Sequence, residues 1–342
     1  MGDMTTPFPF ELARSLPKAE LHVHLEGSVD PATMLTLAER HGVEPPAPDV
    51  AGIEQWLRFD GFPSFLERYF WVCGLLRTGE DFADIAHAYL ESAHYQGAVH
   101  VEFHVSSSYH IVEQGADWPE VLAGIVEGCE RAEAVLGISS LLIPDLSPHL
   151  GAAAAHQALD VVLAEPHPRV VGLGMGGPAD NWRDEDFGAA FGRARDAGLH
   201  TVSHAGEHGP AWEVRHALDH FGAERIQHGI GAMEDPEVVA MLVDEGIACD
   251  VCPGSNLALA AVPSLDVHPL PAMLDAGITV TLGSDDPPLF HTSLLAEYEH
   301  AWNLCSLDEQ GLRTLAENSL VESFAATDRV AGWLDAGPAD PA

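Results

Sequence analysis

The sequence predicts an α/β protein, a (β/α)₈ TIM barrel, from two observations. Eight short apolar, β-branched runs recur along its 342 residues, and each run ends in Gly, Pro, Asp or Ser. Stretches with helical spacing separate the runs, as in residues 235–246 (DPEVVAMLVDEG), which close on a helix-stopping glycine. Strands that are apolar throughout and alternate with helices are typical of a parallel sheet covered by helices, and eight of them indicate a barrel.

Each predicted strand is placed at one of these runs. The strands comprise residues 19–27, 98–106, 137–145, 169–177, 200–207, 225–231, 247–256 and 278–287. Residues 28–97 are too many for one helix, so we expect a helical insertion after strand 1. The aromatic run FPSFLERYFWVCGLL in this insertion is interpreted as helix packing in the core or against the barrel mouth, with a substrate lid as the alternative. We expect one domain over residues 1–342, with a frayed tail after residue 328.

Composition and charge exclude several classes of protein. Hydrophobic residues make up 46% of the chain and charged residues 20%, which excludes a disordered protein. The formal charge of -38 repels phosphate backbones and anionic lipids, so we expect no nucleic-acid and no membrane partner. No run approaches the roughly 20 apolar residues of a spanning helix. Five scattered cysteines suit a reducing compartment, and the N-terminus has no signal-peptide pattern, which predicts a cytoplasmic protein.

Polar residues collect at the carboxyl ends of the predicted strands, where TIM barrels build their active sites. His22 and His24 lie two apart, so both imidazoles face the same side of strand 1. Two core histidines with satisfied hydrogen bonds would give the same pattern. With His204 and Asp285 from other strand ends, however, three imidazoles and a carboxylate form a ligand set suited to Zn²⁺ with one position left for water.

Other chemistry-bearing residues are assigned more ordinary roles. Cys249 and Cys252 form a CxxC that could be half a zinc site or a redox pair, but no second CxxC exists and core packing is favoured. The HVE at residues 100–102 resembles the HxE of cytidine-type deaminases, whose PCxxC partner is absent. Histidines in predicted helices or loops are interpreted as solvated or structural, and two near strand ends are left open: His41, His87, His149 and His300 in the first group, His104 and His208 in the second.

Four motifs in order carry a family resemblance. SLPKAELHVHLEG, TVSHAGE, RIQHG and GSDDP come from successive strand ends. Together they resemble the adenosine deaminase family of zinc aminohydrolases, over residues 15–325. The resemblance implies one zinc ion on His22, His24, His204 and Asp285. Binuclear relatives use a carboxylated lysine, whereas the only lysine here, Lys18, precedes strand 1 at the end opposite the mouth.

The same resemblance implies the roles of the remaining site residues. Glu207 matches the proton donor to purine N1, and His228 matches the water-orienting base, which acts with Asp285. Asp286 matches the hydrogen-bond partner of purine N7, and Gly177 matches the backbone donor to N3. The chemistry agrees with these roles, because zinc lowers the pKa of its water to about 7 and an acid at N1 compensates for the loss of ring aromaticity.

The substrate side of the pattern departs from the adenosine-specific members. Those members have Asp in HxHLD, where it meets the ribose 5′ hydroxyl, and here Glu26 is one methylene longer. The acidic pair after the strand 4 glycine is replaced by GMGGPADNW. Glu26 is therefore predicted beside the N9 substituent of a nucleoside, either 6-amino-6-deoxyfutalosine, an intermediate of one menaquinone route, or adenosine. Free adenine is the alternative substrate, because adenine deaminases of the family carry HxHLEG. The same barrel could also belong to an amide or ester hydrolase, or to a catalytically inactive binding protein.

Overall fold

The structure, a computed structural model, describes residues 7–183 and 186–338. Within these residues eight parallel strands pair in sequence order, β1 to β8. They are Lys18–His24, Ala98–Val105, Ser139–Leu146, Gly172–Met175, His200–Ala205, Arg225–His228, Ala248–Val251 and Val280–Leu282. A bridge between Val23 and Asp285 joins β8 to β1, with hydrogen bonds of 2.9 and 3.0 Å. The predicted (β/α)₈ barrel is confirmed.

Helices cover the outside of this barrel. In the described part of the chain α1 to α16 are Phe10–Ser15, Pro31–His41, Val50–Trp56, Phe62–Cys73, Gly79–Tyr95, Trp118–Leu136, Gly151–Ala164, Phe187–Asp196, Ala211–His216, Pro236–Glu245, Pro253–Ala258, Leu270–Asp275, Pro287–Phe290, Leu294–Cys305, Glu309–Val321 and Thr327–Ala336. Short 3₁₀ or π turns lie at Glu26–Ser28, Tyr109–Glu113, Pro148–Leu150, Ala217–Phe221, Ile230–Glu234 and Leu265–Val267. None of the described helices is long and apolar enough to cross a membrane.

Local sequence signals set several of these boundaries. Helix α10 begins after Asp235, whose carboxylate accepts the backbone N–H of Glu237, and Pro236 occupies its first turn. It ends at Gly246, which adopts a left-handed conformation with φ of 68°. Most strands end earlier than the apolar runs predict. Strand β6, for example, ends at His228, where the chain turns with a positive φ of 64°. An apolar pattern does not register such turns.

The predicted helical insertion after strand 1 is confirmed and contains α2 to α5. The last of these helices, α5, packs against α6 as part of the barrel wall. Helix α4 carries the aromatic run, and its Phe65 and Tyr69 are buried. The ring of Phe65 lies 5.1 Å from that of Phe290 in α13, which follows β8. The aromatic helix therefore packs over the barrel mouth, as the packing interpretation expects.

The prediction of a frayed tail after residue 328 is wrong for the described residues. Helix α16 continues to Ala336, and Val330 and Trp333 pack against the apolar cluster that contains Leu320. The Trp333 ring also stacks on the imidazole of His100 at 5.4 Å. The composition is rich in Ala, Gly, Pro and Asp, but the i, i+3 spacing of two large apolar residues gives the helix a partly buried face. Residues 339–342 lie outside the described residues.

A cluster of charged residues fills the barrel interior below the mouth. We name Arg225, Glu102 and Asp250 the lower cluster. Arg225 donates to a carboxylate oxygen of each acid at 2.6 Å, and all three side chains are buried. Thr281 Oγ1 donates to the second oxygen of Asp250, also at 2.6 Å. The backbone N–H of Phe324 donates to the second oxygen of Glu102 at 2.5 Å. Every carboxylate oxygen of the lower cluster therefore has a partner.

Candidate active site

The four predicted metal ligands come together at the barrel mouth. His22 and His24 lie on β1, His204 lies near the end of β5, and Asp285 follows β8. One ligand atom from each lies within 4.8 Å of the others. The Asp285 Oδ1 atom is 3.6 Å from His22 Nε2 and 3.4 Å from His24 Nε2. Gly283 allows this approach, because a Cβ there would lie 2.5 Å from the His22 carbonyl oxygen.

The tautomers of two of these histidines fit a bound cation. His22 Nδ1 donates to the carbonyl of Asp250 at 3.1 Å, and His204 Nδ1 donates to the carbonyl of Met175 at 2.9 Å. Burial, the largest cause, lowers the pKa of both rings, to about 3 for His204, so both are neutral. Each Nε2 is then a lone-pair acceptor, and the two atoms face one another at 3.2 Å. Two facing lone pairs repel without a cation between them, so this donor set fits a metal ion such as zinc.

A hydrogen-bonded series of polar residues lies behind His24, and of its members the sequence singles out only His104, whose role it leaves open. The His24 Nδ1 atom is 3.6 Å from Asp145 Oδ2, while Asp145 Oδ1 accepts a hydrogen bond from His104 Nδ1 at 3.0 Å. The Gln227 amide donates to His104 Nε2 at 2.8 Å. Gly174 leaves room for Asp145, since a Cβ there would lie 1.9 Å from Oδ1. Asp145 ends predicted strand 3, and this position is the signal that could have identified it.

Glu207 has the environment of a protonated acid. Its Oε1 atom is buried without a hydrogen-bond partner among the described residues and lies 3.7 Å from His228 Nε2. Burial, followed by the nearby charges of Asp285 and Glu213, raises the pKa of Glu207 well above its ordinary value. The raised pKa favours the protonated carboxyl group, which can donate its proton.

Asp286 and Gly177 both line the cavity. Burial, and then the charge of Asp285, raises the pKa of Asp286 well above its ordinary value. The Asp286 Oδ1 atom has no partner within the described residues. A Cβ at position 27 would lie 1.5 Å from this oxygen, so Gly27 is required for the carboxyl to sit here. Gly177 has φ of 112°, a conformation suited to glycine.

The cavity at the mouth has a volume of about 250 Å³. Its polar wall contains three of the four metal-ligand residues together with three further polar groups, and its apolar wall is aromatic: His24, His204 and Asp285, with Glu207, His228 and Asp286. The aromatic wall comes from α4 through Phe62, Phe65, Tyr69 and Phe70. His149, which the sequence interprets as solvated or structural, also lines this cavity. An adjoining cavity of about 330 Å³ shares Glu207 and His204 with it and includes His208, which the sequence left open.

Glu26 does not line either of these cavities. Its side chain is fully buried, and its Oε1 atom accepts hydrogen bonds from the Ser106 backbone N–H at 2.9 Å and from His110 Nε2 at 2.8 Å. The Tyr69 hydroxyl lies 3.4 Å from the Oε2 atom. Tyr69 and Ser106 line the cavity mouth themselves, so the structure places Glu26 behind the wall where the sequence expects a substrate contact.

The two cysteines of the CxxC are free and buried, as the packing interpretation expects. Cys249 packs beside Gly229, where a Cβ would lie 2.6 Å from the sulfur. Cys252 has a position that the sequence did not predict, because its sulfur lies 3.3 Å from His22 Nδ1. Neither thiol belongs to the four-residue metal-ligand cluster.

Comparison with known proteins agrees with this geometry. The adenosine deaminase family profile matches residues 17–336. Adenine deaminase of Rhodospirillum rubrum is 39% identical over 318 residues, covering 93% of this chain and 94% of that protein. Adenine deaminase of Caulobacter vibrioides is 39% identical over 315 residues, covering 92% and 91%.

Two solved structures have the same fold over nearly the whole chain. Adenine deaminase of Arthrobacter aurescens superposes with a TM-score of 0.89 at 37% identity, covering 94% of this chain and 97% of that one. An amidohydrolase of Burkholderia ambifaria with bound Zn has a TM-score of 0.88 at 27% identity, covering 98% and 93%. With the profile match and the assembled site, these similarities identify the chain as a hydrolytic deaminase of the adenosine deaminase family.

Proposed function

We propose that this enzyme deaminates free adenine at C6, releasing ammonia and the 6-oxopurine, with one zinc ion held by His22, His24, His204 and Asp285. This is the alternative that the sequence kept beside the nucleoside substrates. The observation that carries the proposal is the burial of Glu26 behind the cavity wall. The similarity to adenine deaminases supports the same choice over adenosine and 6-amino-6-deoxyfutalosine.

The hydrogen-bonding capacity of Glu26 is already used within the protein. A carboxylate that binds a ribose hydroxyl must offer an oxygen to the cavity. Here Oε1 already accepts from Ser106 and His110, and Oε2 faces the Tyr69 hydroxyl. Breaking these contacts would leave buried donors unpaired, which costs about 1–3 kcal/mol for each group. Glu26 is better suited to hold Tyr69 and Ser106 in the wall that closes the N9 side of a purine.

The chain's own residues supply most of the proposed chemistry. When bound, zinc lowers the pKa of a coordinated water and so makes a nucleophile available at neutral pH. Asp285 accepts a proton from the attacking water while the water oxygen forms a bond to C6. Glu207 donates its proton to N1, which compensates for the loss of aromaticity. Asp285 then passes the water's proton to the amino group, the C6–N bond breaks and ammonia leaves. The proton of the new C6 hydroxyl returns to Glu207, which gives the 6-oxopurine, while Asp286 and the Gly177 backbone hold N7 and N3.

The proposed partner of the enzyme is a small purine, and the charge of -38 argues against nucleic-acid or membrane partners. The cytoplasmic location stays a prediction from the sequence.

Steady-state kinetics on purified protein test the substrate. We expect kcat/KM for adenine to exceed that for adenosine and 6-amino-6-deoxyfutalosine by at least about 100-fold, since a closed N9 wall excludes the sugar. Elemental analysis should find one zinc per chain. A nucleoside that reacts faster than adenine would return the assignment to the substrate that the sequence favoured. Two metals per chain would overturn the mononuclear site.

A further inference from the structure

The buried histidines of the mouth differ in the kind of partner that Nδ1 contacts, a backbone carbonyl or a side-chain amide. His22 and His204 donate from Nδ1 to backbone carbonyls, which leaves Nε2 unprotonated. His228 instead places its Nδ1 3.2 Å from the side-chain amide of Asn256. Its Nε2 atom lies 3.7 Å from Glu207 Oε1 and 3.8 Å from Asp285 Oδ2. The protonation of His228 therefore depends on the direction of the hydrogen bond from Asn256.

A backbone N–H fixes that direction. The Leu270 N–H donates to His268 Nδ1 at 3.0 Å, so this nitrogen carries no proton. Neutral His268 must then be protonated at Nε2, which donates to Asn256 Oδ1 at 3.1 Å. With its oxygen turned to His268, Asn256 presents its NH₂ group to His228 Nδ1. If the amide were reversed, N–H groups would face both ring nitrogens of His268, and both nitrogens would have to accept. A neutral imidazole carries a proton on one nitrogen and cannot accept at both.

We name the hydrogen-bonded series from the Leu270 N–H through His268 and Asn256 to His228 the Asn256–His268 chain. This series is shielded from water. Asn256 and His228 are fully buried, and His268 is 4% exposed. Water cannot easily replace any member, so each hydrogen bond constrains the next. The donor direction set by the Leu270 N–H therefore determines which ring nitrogen of His228 accepts a hydrogen bond and which carries the proton.

We propose that Asn256 and His268 are positioning residues that hold His228 in its Nε2–H tautomer, so that His228 donates a hydrogen bond at the reacting centre. This inference rests on the proposed deamination for the identity of the acceptor, which is the oxygen that attacks C6. It changes the role that the resemblance implies for His228. A ring whose Nε2 already carries a proton cannot accept one there, so Asp285 is the base and His228 orients and stabilises the oxygen.

The same tautomer decides a question about metals. Glu207, His228 and Asp285 also bring one potential ligand atom each within 4.8 Å of one another. A second metal at this position would require an unprotonated His228 Nε2. The Asn256–His268 chain prevents that form, which leaves Glu207 free to act as the acid and the site mononuclear.

The first test is the tautomer of His228 in the wild-type, metal-loaded enzyme. Long-range ¹H–¹⁵N correlation spectra of ¹⁵N-histidine protein distinguish the two neutral tautomers, and the His228→Gln spectrum assigns the signal. We expect a protonated Nε2 and an unprotonated Nδ1. A protonated Nδ1 would overturn the proposal. This readout needs no substrate, so it is independent of whether adenine is the substrate.

The second test reverses the chain with Asn256→Asp. A carboxylate accepts from both rings, so we expect His228 to switch to Nδ1–H. The value of kcat should fall about 10- to 100-fold, the range typical of residues that orient a metal-site group. Zinc content and KM should be retained. His268→Gln keeps a donor toward Asn256 and should preserve the wild-type tautomer and most of the rate.

The matched control is Asn303→Asp, the same substitution at an exposed position on α14. It should change neither the tautomer nor kcat. If Asn256→Asp switches the tautomer but leaves kcat unchanged, the donor role of His228 is wrong. If Asn256→Asp does not fold, the wild-type spectrum and the His268→Gln rate decide the proposal.

Discussion

The barrel contains two buried groups of acidic residues that differ in whether their oxygens have partners: the lower cluster is paired with Arg225, whereas the acids at the mouth have no cationic partner among the described residues. In the lower cluster, burial is the largest single cause at both acids and raises the pKa of Asp250. At Glu102 the charge of Arg225 acts together with hydrogen bonds from His100 and Arg225, and their sum outweighs burial and lowers the pKa to about 2.

At the mouth, burial and the neighbouring Asp285 raise the pKa values of Glu207 and Asp286. The Glu102 oxygens are all paired, whereas Glu207 Oε1 and Asp286 Oδ1 have no partner within the described residues.

This difference indicates that the lower cluster serves stability and that the acids at the mouth serve function. Paired buried charges hold strands of the barrel together, and unpaired buried acids are kept where a ligand will use them. Asp250 connects the two groups, because its side chain pairs with Arg225 and its backbone carbonyl accepts from His22. The lower cluster thereby fixes the strand that orients one metal ligand. Substitutions in the two groups should change different properties.

The largest effect is expected from Asp285→Ala at the mouth. The substitution removes a metal ligand together with the proposed base, so zinc content should fall and deamination should drop below detection. Metal analysis and an adenine assay measure both. Asp244→Ala, at an exposed position of α10, is the matched control and should retain both properties. Turnover that survives in Asp285→Ala would contradict the assignment of the residues at the barrel mouth as the catalytic site.

Arg225→Leu should mainly lower stability. It leaves Glu102 and Asp250 buried without their counter-ion, which costs about 3–5 kcal/mol in the free energy of unfolding. Urea denaturation followed by circular dichroism measures the change. Arg215→Leu removes a surface pair with Glu237 and should change the free energy by less than about 1 kcal/mol. Equal losses in the two variants would show that the lower cluster is not a stabilising element.

Glu207→Gln should lower activity without destabilising the protein. The amide cannot release a proton to N1, so kcat should fall at least about 100-fold while zinc is retained. Because the folded pKa of Glu207 is raised, wild type loses stability relative to the variant as the pH rises above the ordinary value of 4.5. Denaturation of both proteins from pH 4.5 to 8 measures the difference in their free energies of unfolding, the pH-dependent gap between wild type and variant.

The matched control is Glu245→Gln at an exposed position, which should show neither the rate loss nor the pH-dependent gap. A Glu207→Gln enzyme with normal turnover would support the amide or ester hydrolase alternative.

The smallest effect is expected from Lys18→Met. Burial, the largest cause, lowers the pKa of Lys18 to about 7, and its Nζ donates to the Gln96 carbonyl at 2.9 Å. Between pH 7 and 10.5 the unfolded chain holds a proton that the folded chain has released, so wild type gains stability with pH relative to the variant. We expect a gain of at least about 1.4 kcal/mol, equivalent to one pKa unit. A pH-independent difference would mean that Lys18 stays charged in the fold.

The sequence predicted the barrel and the metal ligands because both depend on local order. Alternation along β1 places His22 and His24 on one face, and a parallel barrel brings every strand end to the same mouth. Residues at those ends, such as His204 and Asp285, therefore come close together regardless of how the loops are folded. Asp145 satisfied the same rule and was missed only because a single carboxylate at a strand end carries no motif.

Glu26 and the Asn256–His268 chain could not be predicted from the sequence. Whether Glu26 faces a sugar or a protein donor depends on His110 and Tyr69, which other elements bring to it. The tautomer of His228 depends on a backbone N–H at Leu270, 42 positions later in the numbering. The sequence by itself determined the barrel and the set of reactive groups at its mouth. Only the tertiary structure decided their hydrogen-bond partners and protonation, because those are set by atoms that come close in space from distant parts of the chain.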